Sequence, residues 1–122
     1  MGRADPEAIA YLRAEHAGAL ELAAWTRDAV LAADPDLSER VYHGWRGVGY
    51  RHPEAGYVCG LFPRGERVEL VFERGATLLD PEAVLAGSGT QTRVLSVTAA
   101  SDGLARTITA YVGQAIAQRL FL

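Results

Sequence analysis

Residues 57–93, YVCGLFPRGERVELVFERGATLLDPEAVLAGSGTQTR, decide the fold. Residues 57–62 and 67–73 are short runs rich in β-branched, aromatic and other apolar side chains, and Pro63-Arg64-Gly65-Glu66 between them has turn chemistry, so the two runs predict a β-hairpin. In the second arm Val68, Leu70 and Phe72 alternate with Glu69, Val71 and Glu73. That period of two buries one face and leaves the other at least partly wet. Beyond Arg74-Gly75, Asp80 before Pro81 predicts a capped helical turn as far as residue 85 or 86, stopped by Gly87, and residues 93–98 alternate enough to form a last strand.

Toward the amino terminus, Tyr42-His43-Gly44-Trp45 leads into a first strand carrying Trp45, Val48 and Tyr50, whose three glycines permit a bulge or a close backbone approach. Residues 38–41 read as a short connection or helical turn, and His52-Pro53-Glu54-Ala55-Gly56 as a reversal. Asp5-Pro6 starts a helix that runs to about Ala33, with Ile9, Leu12, Leu20, Leu22, Trp25, Ala29 and Val30 on its apolar stripe and an interruption near residues 16–18. Asp34-Pro35 ends it. At the other end, Ser101 or Asp102 caps a helix with a wide apolar face, which includes Leu104, Ile108, Tyr111 and Ile116. The expectation is one α+β domain over residues 1–122, an antiparallel sheet of about four strands with the N-terminal and C-terminal helices packed on one side.

Composition narrows the chemistry. Apolar residues at 49% and charged residues at 22% suit a packed core rather than a disordered chain. There are twelve arginines and neither lysine nor asparagine, which points to a GC-rich bacterial genome. Without lysine there is no Walker P-loop and no Schiff-base chemistry. Of the net charge of −3, residues 1–39 hold eight acids against three arginines (−5) and residues 40–122 seven acids against nine arginines (+2), which a solvated helical face explains. One cysteine, Cys59, makes no internal disulfide, the acidic start lacks secretory character, and no stretch reaches the roughly 20 apolar residues that span a bilayer. The expected setting is the cytoplasm, away from membranes.

The ordered set Tyr42-His43-Gly44-Trp45, Val68-Glu69-Leu70-Val71-Phe72, Arg74-Gly75-Ala76, Leu79-Asp80-Pro81, Leu85-Ala86-Gly87-Ser88-Gly89 and Arg93 resembles the YdhG-like family of small bacterial domains, over roughly residues 20–120. The resemblance implies a compact α+β fold of mostly unassigned function, some of whose members are described as frataxin-like iron-delivery proteins.

Iron delivery would use exposed carboxylates, for which Glu15, Glu21, Asp28, Asp34, Asp36 and Glu39 are the candidates. Only Glu21 and Asp28 stand seven apart on one helical face, so no dense acidic ridge forms. His43, His52, Glu54 and Cys59 have metal-binding chemistry at spacings that match no ligand pattern, and no metal site is assigned. Cys59 with His43 or His52 is the one conceivable catalytic dyad, and a cysteine within Val58-Cys59-Gly60-Leu61 fits inert packing better, so the chain is read as non-catalytic. Arg46-Gly47-Val48-Gly49-Tyr50 lacks the aromatic spacing of an RNA-binding strand, and an acidic chain lacks general phosphate attraction, so nucleic acid is not expected.

Gly87-Ser88-Gly89-Thr90 with Arg93 has the makings of an anion nest, against the alternative that Arg93 pairs with Glu69 or Glu73. Tyr42, Trp45, Tyr50 and Tyr57 are interleaved with glycines, and alternation places some of them on an exposed face. The resulting expectation is a binding domain of the YdhG-like type that holds a small anion, a metal ion or a partner protein on its sheet face and glycine loop, with Trp45, Tyr50, Tyr57, Glu69 and Arg93 as the site residues. The alternative is a structural protein that self-associates, as a homodimer, through the open sheet. The sequence names no cofactor.

Overall fold

A computed structural model describes residues 1–121. The elements in order are α1 (Ala8–Glu15), α2 (Leu20–Leu31), β1 (Ser38–Tyr42), β2 (Gly47–His52), β3 (Gly56–Arg64), β4 (Arg67–Phe72), β5 (Leu85–Ala86), β6 (Arg93–Val97) and α3 (Asp102–Phe121). The strands form one antiparallel sheet in the order β1-β2-β3-β4-β6-β5. The α+β architecture is as expected, with six strands where about four were read.

The β3–β4 hairpin is the centre of the sheet. Arg64 pairs with Arg67, so Gly65-Glu66 is a two-residue loop, and Gly65 takes φ +64 at the position where such loops require a left-handed residue. Val68, Leu70 and Phe72 are buried, whereas Glu69 and Val71 are half-buried on the opposite face. Packed on the inner face, α2 meets β3 and β4, α3 meets β3 and α2, and α1 meets β1 and α2. Leu12, Leu31, Leu37, Leu61, Leu70, Leu95 and Ile108 fill the space between. The expected interruption of the first helix is a full break, with a 3-10 turn at Ala17–Ala19 between α1 and α2. Ser101 caps α3 by accepting the Leu104 N–H at 3.1 Å. No helix among the described residues is long and apolar enough to cross a membrane.

Both additional strands have specific causes. Residues 38–41, expected as a connection, belong to β1, whose inward positions are Glu39 and Val41, and the charge of Glu39 hides the strand's apolar alternation. The Glu39 side chain is 0% exposed and is held by Arg27 of α2 and by the Tyr50 hydroxyl of β2. Tyr42-His43-Gly44-Trp45, expected to enter a strand, instead turns between β1 and β2 through a 3-10 segment, His43–Trp45, which Arg46 closes at φ 58. The expected helical turn after Pro81 is not helical either. Ala83 takes φ +52, and the Asp80 carboxylate accepts the N–H groups of Val84 and Leu85 at 3.0 Å each. The chain is thereby turned so that β5 adds to the edge of β6.

Candidate binding face

The helices leave the other face of the sheet uncovered, and its floor is glycine. Gly47 stands opposite Tyr42, and Gly49 opposite Gly60. A Cβ on Gly49 would lie 2.5 Å from the Tyr42 ring and 3.1 Å from that of Tyr57, and a Cβ on Gly47 2.5 Å from the Phe62 ring. The three rings therefore lie directly on the backbone, where side chains of the neighbouring strands would otherwise stand. Tyr57 reaches this face because of a bulge: Tyr50 pairs with Cys59 but Arg51 with Tyr57, leaving Val58 as an extra residue. Strict alternation from buried Cys59 would send Tyr57 inward, and the inserted residue re-aims it.

Trp45 completes the cluster from the turn between β1 and β2. Its indole stacks on Tyr42 with centroids 4.8 Å apart and planes at 19°, meets Tyr57 edge-on at 6.1 Å, and remains 59% exposed. Arg40 lies over the Tyr42 ring at 5.6 Å and Arg64 over Phe62 at 5.5 Å, contacts of the cation–π kind. Arg64 also bonds Glu69 at 3.0 Å. Burial, then the nearby Cys59 and Glu73, push the Tyr57 hydroxyl up, so it remains a neutral donor and acceptor at physiological pH.

Of the five residues named from sequence, Trp45 and Tyr57 are brought into contact, and Glu69 shares their face. Tyr50 lies beneath, 0% exposed, its hydroxyl donating to Glu39 at 2.8 Å. Arg93 stands three strands from β2, and its guanidinium folds back on its own loop, donating to the carbonyls of Gly89 at 2.7 Å and Thr92 at 2.8 Å. The alternative pairing of Arg93 with Glu69 gives way to the Arg64–Glu69 pair. Tyr42, read from sequence as one of the glycine-interleaved aromatics but not among the five site residues, and Phe62, not singled out at all, also belong to the cluster. The signal for them was the placement of Gly47, Gly49 and Gly60 at outward positions of adjacent strands, which only the register reveals.

The groups considered for metal chemistry are arranged differently from expectation. Cys59 is fully buried, and burial pushes its thiol up, away from the thiolate form. The ring of His43 packs edge-on against Tyr11 at 5.3 Å. Three groups that could hold a metal ion do come together: donor atoms of Asp34, Asp36 and His52 lie within 4.8 Å of one another, beside the end of β2. His52 Nδ1 accepts the N–H groups of Glu54 and Ala55, both at 3.1 Å. The neutral ring must then carry its proton on Nε2, which lies 3.6 Å from Asp34 Oδ2. A protonated Nε2 has no lone pair to give, so a cation here would rest on the two carboxylates. Glu39, another candidate for iron, is committed to Arg27.

No family model, curated protein or solved structure matches this chain.

Proposed function

We propose that the chain is a non-catalytic binding domain of the YdhG-like type whose working surface is the helix-free face of its sheet, and whose ligand is the surface of another protein. The aromatic cluster carries this reading: Tyr42, Tyr57 and Phe62 lie on the Gly47, Gly49 and Gly60 floor, and Trp45 packs against Tyr42 and Tyr57. Three rings seated against backbone, with Trp45 stacked on one of them, make a broad, shallow surface with arginines at its margin. Such a surface suits a protein interface, where aromatic residues and arginine are enriched, better than the enclosure of a small molecule.

One observation favours a second copy of the chain as the occupant. Arg40, Arg51 and Arg64 share the face with Glu69 and Glu73, so it is charged in both senses. A two-fold dimer requires this kind of self-complementary patch. Sedimentation velocity over a range of concentrations separates the two occupants. Self-association should appear as a concentration-dependent shift that Trp45→Ala abolishes while the melting temperature is kept, and a species that remains monomeric throughout rules out the second copy. For a different partner, a photo-crosslinking residue at Tyr42 should yield an adduct in the native cell that Trp45→Ala removes and that the same probe at Ala117 on α3 does not give. Identical adducts from both positions, or none from either, would overturn the proposal.

A further inference from the structure

A separate concavity lies on the helix side of the sheet, where α3 ends near the 3-10 turn Gly75–Thr77. Its volume is about 300 Å³, at the lower end of the range of small-molecule sites. Val58, Phe72, Leu78 and Ala115 supply apolar lining, and Arg74 and Arg119 are its two charged lining residues. We propose that this cavity binds a small organic carboxylate with an apolar body, the carboxylate held between Arg74 and Arg119. The site is independent of the sheet face and of the reading given to it.

The charge balance of the cavity is the main argument. Among the described residues two arginines line it and no acid does, in a chain whose net charge is −3. Among the described residues neither Arg74 nor Arg119 forms a salt bridge, whereas Arg27 and Arg64 do. Arg119 spends one N–H on the carbonyl of Ala55 at 3.0 Å, and a guanidinium has five to offer. Burial, then the adjacent Arg74 charge, lower the Arg119 pKa and outweigh the opposing pull of Glu73, the response of a partly desolvated cation near another cation. A carboxylate placed between them would relieve that repulsion and accept from both forks, and the apolar lining would take the rest of the molecule.

The walls are also fixed in advance. Gln114 and Gln118, one turn apart on α3, hold the segment that closes the cavity. Gln118 Nε2 donates to the Thr77 carbonyl at 2.7 Å, and Gln114 both accepts the Leu79 N–H at 2.6 Å and donates to the Leu79 carbonyl at 3.1 Å. The segment therefore needs little ordering when a ligand enters, which lowers the cost of binding.

Amide NMR titrations of the full chain with hexanoate, 1-hexanol and inorganic phosphate test the proposal. Hexanoate should shift the signals of Leu78, Ala115 and Arg119 in a saturable manner. Hexanol, lacking the charge, and phosphate, lacking the apolar body, should each bind about tenfold more weakly or worse. Arg74→Gln, at an exposed position, should weaken hexanoate by about tenfold or more. Ala115→Leu, which fills the cavity from α3, should abolish binding while the melting temperature stays at or above that of the parent chain. Equal affinity for hexanol and hexanoate, hexanoate binding that survives both substitutions, or no saturable shift at millimolar hexanoate would overturn the assignment.

Discussion

Replacing Arg27 with methionine should destabilise the fold by about 3 kcal/mol. Glu39 sits inward on β1 with its side chain 0% exposed, and its carboxylate receives the Asp5 N–H at 3.0 Å, the Tyr50 hydroxyl at 2.8 Å, and Arg27 through Nε at 2.9 and 3.0 Å and through a terminal nitrogen at 2.9 Å. Arg27 is itself only 13% exposed. Removing one member of a buried pair costs about 3–5 kcal/mol because the other charge is left uncompensated, and the two remaining donors place the cost at the lower end of that range. For a chain of this size the loss corresponds to a melting temperature lower by about 10–15 °C. In Arg27→Met/Glu39→Gln the stranded charge is gone, so the double substitution should cost less than the sum of its parts by about 2 kcal/mol. Urea unfolding followed by circular dichroism measures both quantities, provided that the slope of the transition is unchanged. A cost below about 1 kcal/mol for Arg27→Met, the range of an exposed ion pair, or strict additivity in the double variant would refute the reasoning.

Three further outcomes are expected. The Asp80 carboxylate is held below its ordinary range, first by the Tyr111 hydroxyl at 2.7 Å and then by backbone N–H groups. Its contribution is therefore complete above the unfolded-chain value of about 3.9 and is lost as pH falls through the lower folded value, so the stability gap between the parent and Asp80→Asn should close below about pH 4. A gap that stays constant from pH 7 to pH 3 would contradict this. Gly49→Val should displace the Tyr42 ring and cost about 1–3 kcal/mol in thermal or urea melts, whereas Gly44→Ala, which meets open space, should change stability by less than about 0.5 kcal/mol. Cys59 in the folded chain should react with iodoacetamide about a hundredfold or more slowly than in the denatured chain, since only the rare opened population exposes it; comparable rates would show that the thiol is accessible.

Local chemistry was sufficient for a large part of the fold. The β3–β4 hairpin follows from alternation around a glycine turn, the break before α2 from an interrupted apolar stripe, and the α3 start from Ser101, because each depends on neighbours within a few residues. Where a residue's role is set by a distant partner, the local reading differed. Glu39 reads as a polar connection until Arg27, twelve residues earlier, and Tyr50, eleven later, satisfy it and allow β1 to form. Asp80 reads as a helix cap until the Tyr111 hydroxyl and the edge of β6 hold its segment in another shape.

The candidate sites divide along the same line. Trp45 and Tyr57 were legible as exposed-face aromatics, but their contact depends on the turn closed by Arg46 and on the extra residue at Val58, both products of strand register. Tyr50 and Arg93, chosen by residue type, have their functional groups engaged by Glu39 and by a loop's own carbonyls. Arg74 was legible only as part of a turn and Arg119 only as a residue of the last helix, and they line one cavity because α3 packs against β3, next to the chain leaving β4. The sequence by itself determined which segments alternate, turn and cap, since short-range sterics and hydrogen bonding act between near neighbours. Tertiary structure decided which charges are paired and which aromatics meet, because those outcomes depend on register and packing between segments far apart in the chain.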